Sequence, residues 1–91
     1  MEPSKRVRDS DRDTVAREIT EFIQTEFAAT TTIDHDTPLI TQGIVDSIGV
    51  LRLVRFLEDR FQVNVQAQDL VLQNFRSVTA MLDLVINRSG D

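Results

Sequence analysis

Ninety-one residues make one small domain, with room for a modest core but not for a second domain or a deep substrate cavity. The absence of cysteine excludes a disulfide framework, a thiolate metal site and a cysteine nucleophile, and points to a reducing, cytoplasmic setting. The formal charge of −5 is uneven: Lys5, Arg6, Arg8 and Arg12 outnumber Glu2, Asp9 and Asp11 by one, so the acidic excess lies beyond residue 12, in a body that repels nucleic acid and anionic membranes.

Residues 1–12 are polar and charged without apolar periodicity, which predicts a flexible N-terminal tail. They also lack the apolar core of a signal peptide, and no apolar run in the chain approaches a membrane span. From Asp13, placed to cap a helix, Val15, Ile19, Phe22, Ile23 and Phe27 recur at spacings of three and four, one apolar stripe of a first helix ending near Ala29. Thr30, Thr31 and Thr32 are poor helix formers, and Pro38 and Gly43 block a continuing helix. Residues 30–46 therefore form a long connection, predicted to be ordered, with Ile33, Leu39, Ile40 and Ile44 as anchors on the core.

From Ser47 to Phe61 the pattern is helical again. Val50, Leu53, Val54, Leu57 and Phe61 fall within one arc of about 100°, the width of a core-facing stripe. Ile48, Leu51 and Arg55 lie on roughly the opposite side, with Arg52 and Asp59 beside them, which predicts an exposed face of mixed apolar and basic character. Val63 and Val65 alternate in a short extended stretch, and residues 69–75 have room for one short helix burying Leu70, Leu72 and Phe75. Ser77 then caps a last helix in which Val78, Met81, Leu82, Val85 and Ile86 form the stripe. The prediction is an all-α domain over residues 13–88, three main helices and one short one, followed by a C-terminal tail over 89–91.

The inventory for chemistry is thin. His35 is the sole histidine, and there is no cysteine, tyrosine or tryptophan, so neither a self-contained active site nor a metal site is expected. Asp34 and Asp36 flank His35 as turn-forming residues, well short of a calcium-loop spacing. Arg52 and Arg55 share a helix face as in a DNA-reading helix, but the acidic body supplies no further phosphate contacts. What stands out is Ser47, where a turn-rich stretch gives way to a helix. Its hydroxyl can cap that helix or be presented for modification, with the Asp46 carboxylate on one side and Ile48 on the other. A helix N-terminus also favours an anion attached there.

These residues resemble a known family, the acyl and peptidyl carrier proteins that bear phosphopantetheine on a serine. The resemblance spans residues 14–86 and rests on an ordered set: Asp36-Thr37-Pro38-Leu39-Ile40, Gly43-Ile44-Val45-Asp46-Ser47-Ile48, Leu53 to Phe61, Val63 and Val65, then Asn74-Phe75-Arg76-Ser77-Val78. It implies a bundle of three longer helices and one short one, with Ser47 at the start of the second helix, taking phosphopantetheine from coenzyme A through a magnesium-dependent phosphopantetheinyl transferase; the chain is expected to be a monomer. Asp46 would assist that transferase and Ile48 would be its apolar contact. The arm's thiol would carry an acyl or aminoacyl thioester between an adenylating ligase or acyltransferase and downstream synthase or tailoring enzymes, and the chain itself would catalyse nothing. Its partner surface would comprise Gly49, Leu51, Arg52, Arg55, Glu58 and Asp59.

The chain departs from fatty-acid-type carriers, which follow the serine with acidic residues. Gly49, Arg52 and Arg55 stand there instead, which favours a dedicated partner with an apolar or acidic patch and a specialised pathway over housekeeping fatty-acid synthesis. The rival from another class is a helical interaction module in which Ser47 is merely a cap.

Overall fold

The structure, a computed structural model, describes residues 9–27 and 32–89, with side chains over 12–27 and 32–88. It contains α1 (Asp9–Glu26), α2 (Ser47–Phe61) and α3 (Val78–Ser89), with single 3-10 turns at Ala67–Asp69 and Leu72–Phe75 between α2 and α3. No strand occurs among the described residues, so the architecture is the small all-α domain that the hydrophobic periodicity predicts.

The first helix starts earlier than expected. Asp9–Arg12, assigned to the tail by their lack of apolar spacing, form the opening of α1. They extend past the core, whose first buried side chains on this helix are Val15 and Ala16, so no periodicity marks them. Acidic residues in a first turn are nonetheless favoured by the helix dipole. At the other end the helix closes at Glu26, and Phe27 follows in a turn whose N–H still donates to the Ile23 carbonyl at 3.0 Å. The expected end near Ala29, and Thr30 and Thr31, lie outside the described residues. Ser89, expected in the C-terminal tail, is the last residue of α3.

The described part of the long connection, residues 32–46, is organised around Leu39, which is fully buried. Its N–H donates to the Arg76 carbonyl at 2.8 Å, and its carbonyl accepts from Ile44 at 2.9 Å and Val45 at 3.2 Å. Ile33 and Val45 are also buried, whereas Ile40 and Ile44 pack only partly against the core. Gly43 turns the chain with φ +75°, a conformation that L side chains rarely adopt. A second tie reaches α3: the Thr79 N–H donates to the His35 carbonyl at 2.9 Å, and its hydroxyl lies 3.1 Å from Asp36 Oδ1. His35 and Asp36 thus hold the loop to the last helix.

Beyond α2, Gln62 adopts the left-handed conformation and donates its N–H to the Glu58 carbonyl at 3.0 Å, closing the helix. The expected short helix over 69–75 is instead two 3-10 turns separated by Leu70 and Val71. Leu70 and Leu72, expected to be buried, are exposed, and Phe75 alone of the three reaches the core. The segment is shaped by a polar clamp. Asp69, itself buried, accepts from the Gln66 N–H at 2.9 Å and takes both Arg88 Nε and Arg88 Nη2 at 2.8 Å. The Arg88 guanidinium, and secondarily the Gln66 N–H, hold the Asp69 carboxyl below its ordinary range. With Asp69 fixed to α3, the intervening Leu70–Leu72 bow outward. On α3, Val78, Met81, Leu82 and Val85 are buried as the spacing predicts, joined by Ala80 and Leu84.

Candidate functional site

The site is built at the start of α2. Asp46 has extended backbone, φ −103° and ψ −174°, and its Oδ1 accepts the Gly49 N–H at 2.7 Å. Its carbonyl accepts the Val50 N–H at 2.9 Å, the bond that opens the helix. Asp46 is therefore the N-cap, and the sequence-based option of a Ser47 cap is corrected: Ser47 occupies the first helical position. Its side chain is exposed and makes no hydrogen bond among the described residues.

That division of labour suits a modified serine. With Asp46 taking the capping bond, the Ser47 hydroxyl is uncommitted. The N–H groups of Ser47 and Ile48 precede the first intrahelical bond and add to the positive end of the helix dipole. A phosphodiester on Ser47 Oγ fits such a position, and the Asp46 charge that would oppose it is engaged by the Gly49 N–H.

The first turn of α2 is held from below. Val45, immediately before the cap, is buried, and Gly49 is buried on the inner side. A Cβ added at Gly49 would come within 2.7 Å of Phe27 Cε1 and 3.1 Å of Val45 Cγ1, so the missing side chain is what lets the Phe27 ring seat beneath the turn. Gly49 was expected on the partner-facing surface, and the structure removes it from there. The wheel held the signal, since Gly49 precedes buried Leu53 by four residues.

The outward face matches its sequence pattern. Ile48 is 67% and Leu51 61% exposed, and Arg52, Arg55 and Asp59 are exposed around them. Arg52 Nη1 lies 3.3 Å from Glu26 Oε2 on α1, and Arg55 Nε 3.5 Å from Asp59 Oδ2. Glu58 differs: it is half-buried, and its carboxylate accepts the Val65 N–H at 3.0 Å, so it fastens the chain leaving α2.

One feature escaped the sequence reading. Phe22 of α1, placed in that helix's apolar stripe, and Phe56 of α2 are only partly buried and stack with ring centroids 4.0 Å apart and planes inclined by 13°. They floor an open groove of about 470 Å³ whose rim includes Glu26, Arg52, Arg55, Asp59 and Arg60. The available signal was that Phe56 falls outside the buried arc of α2. Elsewhere, no cluster of three or more His, Cys, Asp or Glu side chains among the described residues could hold a metal ion. No helix among them is long and apolar enough to cross a membrane.

Comparison with known proteins agrees with this geometry. A family model described as a phosphopantetheine attachment site matches residues 17–85, most of the chain and all of the site. Over 53 residues the chain is 38% identical to a probable acyl carrier protein, PigG, of Serratia sp. (strain ATCC 39006). That match covers 58% of this chain and 61% of PigG. No solved structure matches at a significant level. The chain belongs to the acyl and peptidyl carrier protein family, whose members bear covalently attached phosphopantetheine.

Proposed function

We propose that the protein is a cytoplasmic carrier whose phosphopantetheine arm is attached to Ser47 Oγ and holds acyl or aminoacyl thioesters for partner enzymes. The observation that carries the assignment is the exposed Ser47 hydroxyl at the first position of α2, without a hydrogen bond among the described residues while Asp46 supplies the cap. In the attachment step Ser47 Oγ forms a phosphoester bond to the phosphopantetheine half of coenzyme A. The adenosine bisphosphate half departs, and the serine proton passes to a base of the transferase. Ile48 gives the transferase an apolar contact beside the serine. The chain is substrate and shuttle in this scheme, and the chemistry on its cargo belongs to its partners.

Ile48, Leu51, Arg52 and Arg55 form the docking face, with Asp59 at its far end, and Gly49 acts beneath it. A face with two arginines where an acidic one would serve fatty-acid enzymes supports a specialised pathway, in which an adenylating ligase or acyltransferase presents apolar and acidic groups. Incubation of the unmodified protein with coenzyme A, magnesium and a broad-specificity phosphopantetheinyl transferase should add one arm by intact mass. Folded protein that stays unmodified would contradict the reading.

A further inference from the structure

The groove between α1 and α2 adjoins the proposed docking face through Arg52 and Arg55. Its floor is the Phe22–Phe56 stack, and three guanidiniums, those of Arg52, Arg55 and Arg60, stand on its rim. These belong to the basic pole of an otherwise acidic chain. Helix α2 holds three of the six arginines of residues 13–91 and only two of their twelve acids. One of those two, Glu58, is occupied by the Val65 N–H.

Each rim arginine has an acidic neighbour: Glu26 for Arg52, Asp59 for Arg55, and Glu18 for Arg60. The Arg52–Glu26 and Arg55–Asp59 pairs are well exposed, with side-chain exposures of 56% and 41%, and of 84% and 73%. Exposed pairs of this kind contribute little to stability and exchange readily for other carboxylates.

We propose that this groove receives an aromatic side chain carried on an acidic segment of a partner protein. The ring lies on the edge of the Phe22–Phe56 stack, and the segment's carboxylates take Arg52 and Arg55 in exchange for Glu26 and Asp59. The groove is continuous with the proposed docking face through those two arginines, so the surface extends onto α1. A short acidic segment meets a rim on which Arg52, Arg55 and Arg60 outnumber Glu26 and Asp59. A sheet of lipid phosphates would instead meet the acidic remainder of the body, which carries ten acids against three arginines outside α2 over residues 13–91.

The test uses the full, unmodified chain labelled with nitrogen-15. It is titrated with an acetylated and amidated pentapeptide of one tryptophan flanked by two glutamates on each side. Saturable amide shifts confined to Phe22, Glu26 and residues 52–60 are expected. Affinity should fall at least about fivefold for the Arg52→Glu/Arg55→Glu variant, whose melt is unchanged, and equally for a peptide with lysines in place of the glutamates. Shifts elsewhere, no saturation, equal binding of the lysine peptide, or preferential sedimentation of the chain with phosphatidylglycerol vesicles would overturn the proposal. The inference shares the docking face with the carrier reading but not the modification of Ser47. Ser47→Ala should bind the peptide as the natural chain does, so failure of either reading leaves the other standing.

Discussion

Two helices of this protein open beside a serine, and the two serines have opposite fates. At α3, Ser77 is buried and its Oγ accepts the Ala80 N–H at 3.2 Å, so the hydroxyl is part of the structure. At α2, Asp46 takes the equivalent bond from Gly49 at 2.7 Å, and Ser47 is pushed one position into the helix, exposed and without a hydrogen bond among the described residues. A serine at a helix start is available for chemistry only where a neighbour caps in its place. The residue before each serine makes the difference: Asp46 is a strong capping residue, whereas Arg76 is not.

The comparison can be broken at several points. The largest effect on stability is expected from Phe75→Ala, two residues before Ser77. Phe75 is fully buried, so truncation should cost about 3–5 kcal/mol in a denaturant melt. Gly49→Ala comes next. Its methyl group would meet the Phe27 ring and Val45, so the melt should fall by about 1–3 kcal/mol. Transfer to Ser47 should slow as well, because the turn that presents it must shift. A third pair separates the two caps. Ser77→Ala and Asp46→Ala should each cost about 1 kcal/mol, and Asp46→Asn should restore most of the loss at α2 because an amide oxygen also accepts the Gly49 N–H. The smallest stability effect is that of Ser47→Ala, within about 0.5 kcal/mol, since its exposed side chain bonds nothing among the described residues.

Acid sharpens the contrast further. Asp69 lies between the two helix starts in sequence, and its carboxyl is held below the usual range by Arg88. A carboxyl whose folded pKa lies below its unfolded value of about 3.9 contributes full stability above that value. The contribution is lost as pH falls through the folded pKa. The stability gap between the natural chain and Asp69→Asn should therefore be constant near neutrality and close below about pH 4. A gap that persisted unchanged into stronger acid would show that the ionised Asp69–Arg88 clamp is not what the substitution removes.

Much of this was legible in the chain. The limits of α2 and its buried and exposed faces follow from apolar spacing, because Leu53 and Leu57 lie on the core side while Ile48 and Leu51 lie opposite. Ile33 and Leu39 were recognisable as anchors because apolar residues set in a polar loop have few other reasons to be there, and both are buried. The features that were not legible depend on distance or on competition. The Asp69–Arg88 clamp joins residues 19 apart, and it reshapes a segment whose leucines alone suggested burial. The start of α1 has no apolar marker. The cap at Asp46 was hidden because Asp46 and Ser47 can both serve, and local composition does not rank them. Gly49, expected on the partner surface, proved to be a seat for Phe27.

The central claim, that Asp46 frees Ser47 while Ser77 stays structural, is tested most directly by intact mass on two variants. Ser47→Ala and Ser77→Ala are each treated with coenzyme A, magnesium and the transferase, beside the natural chain. The account predicts one phosphopantetheine on the natural chain and on folded Ser77→Ala, and none on Ser47→Ala. An arm on Ser47→Ala would contradict it.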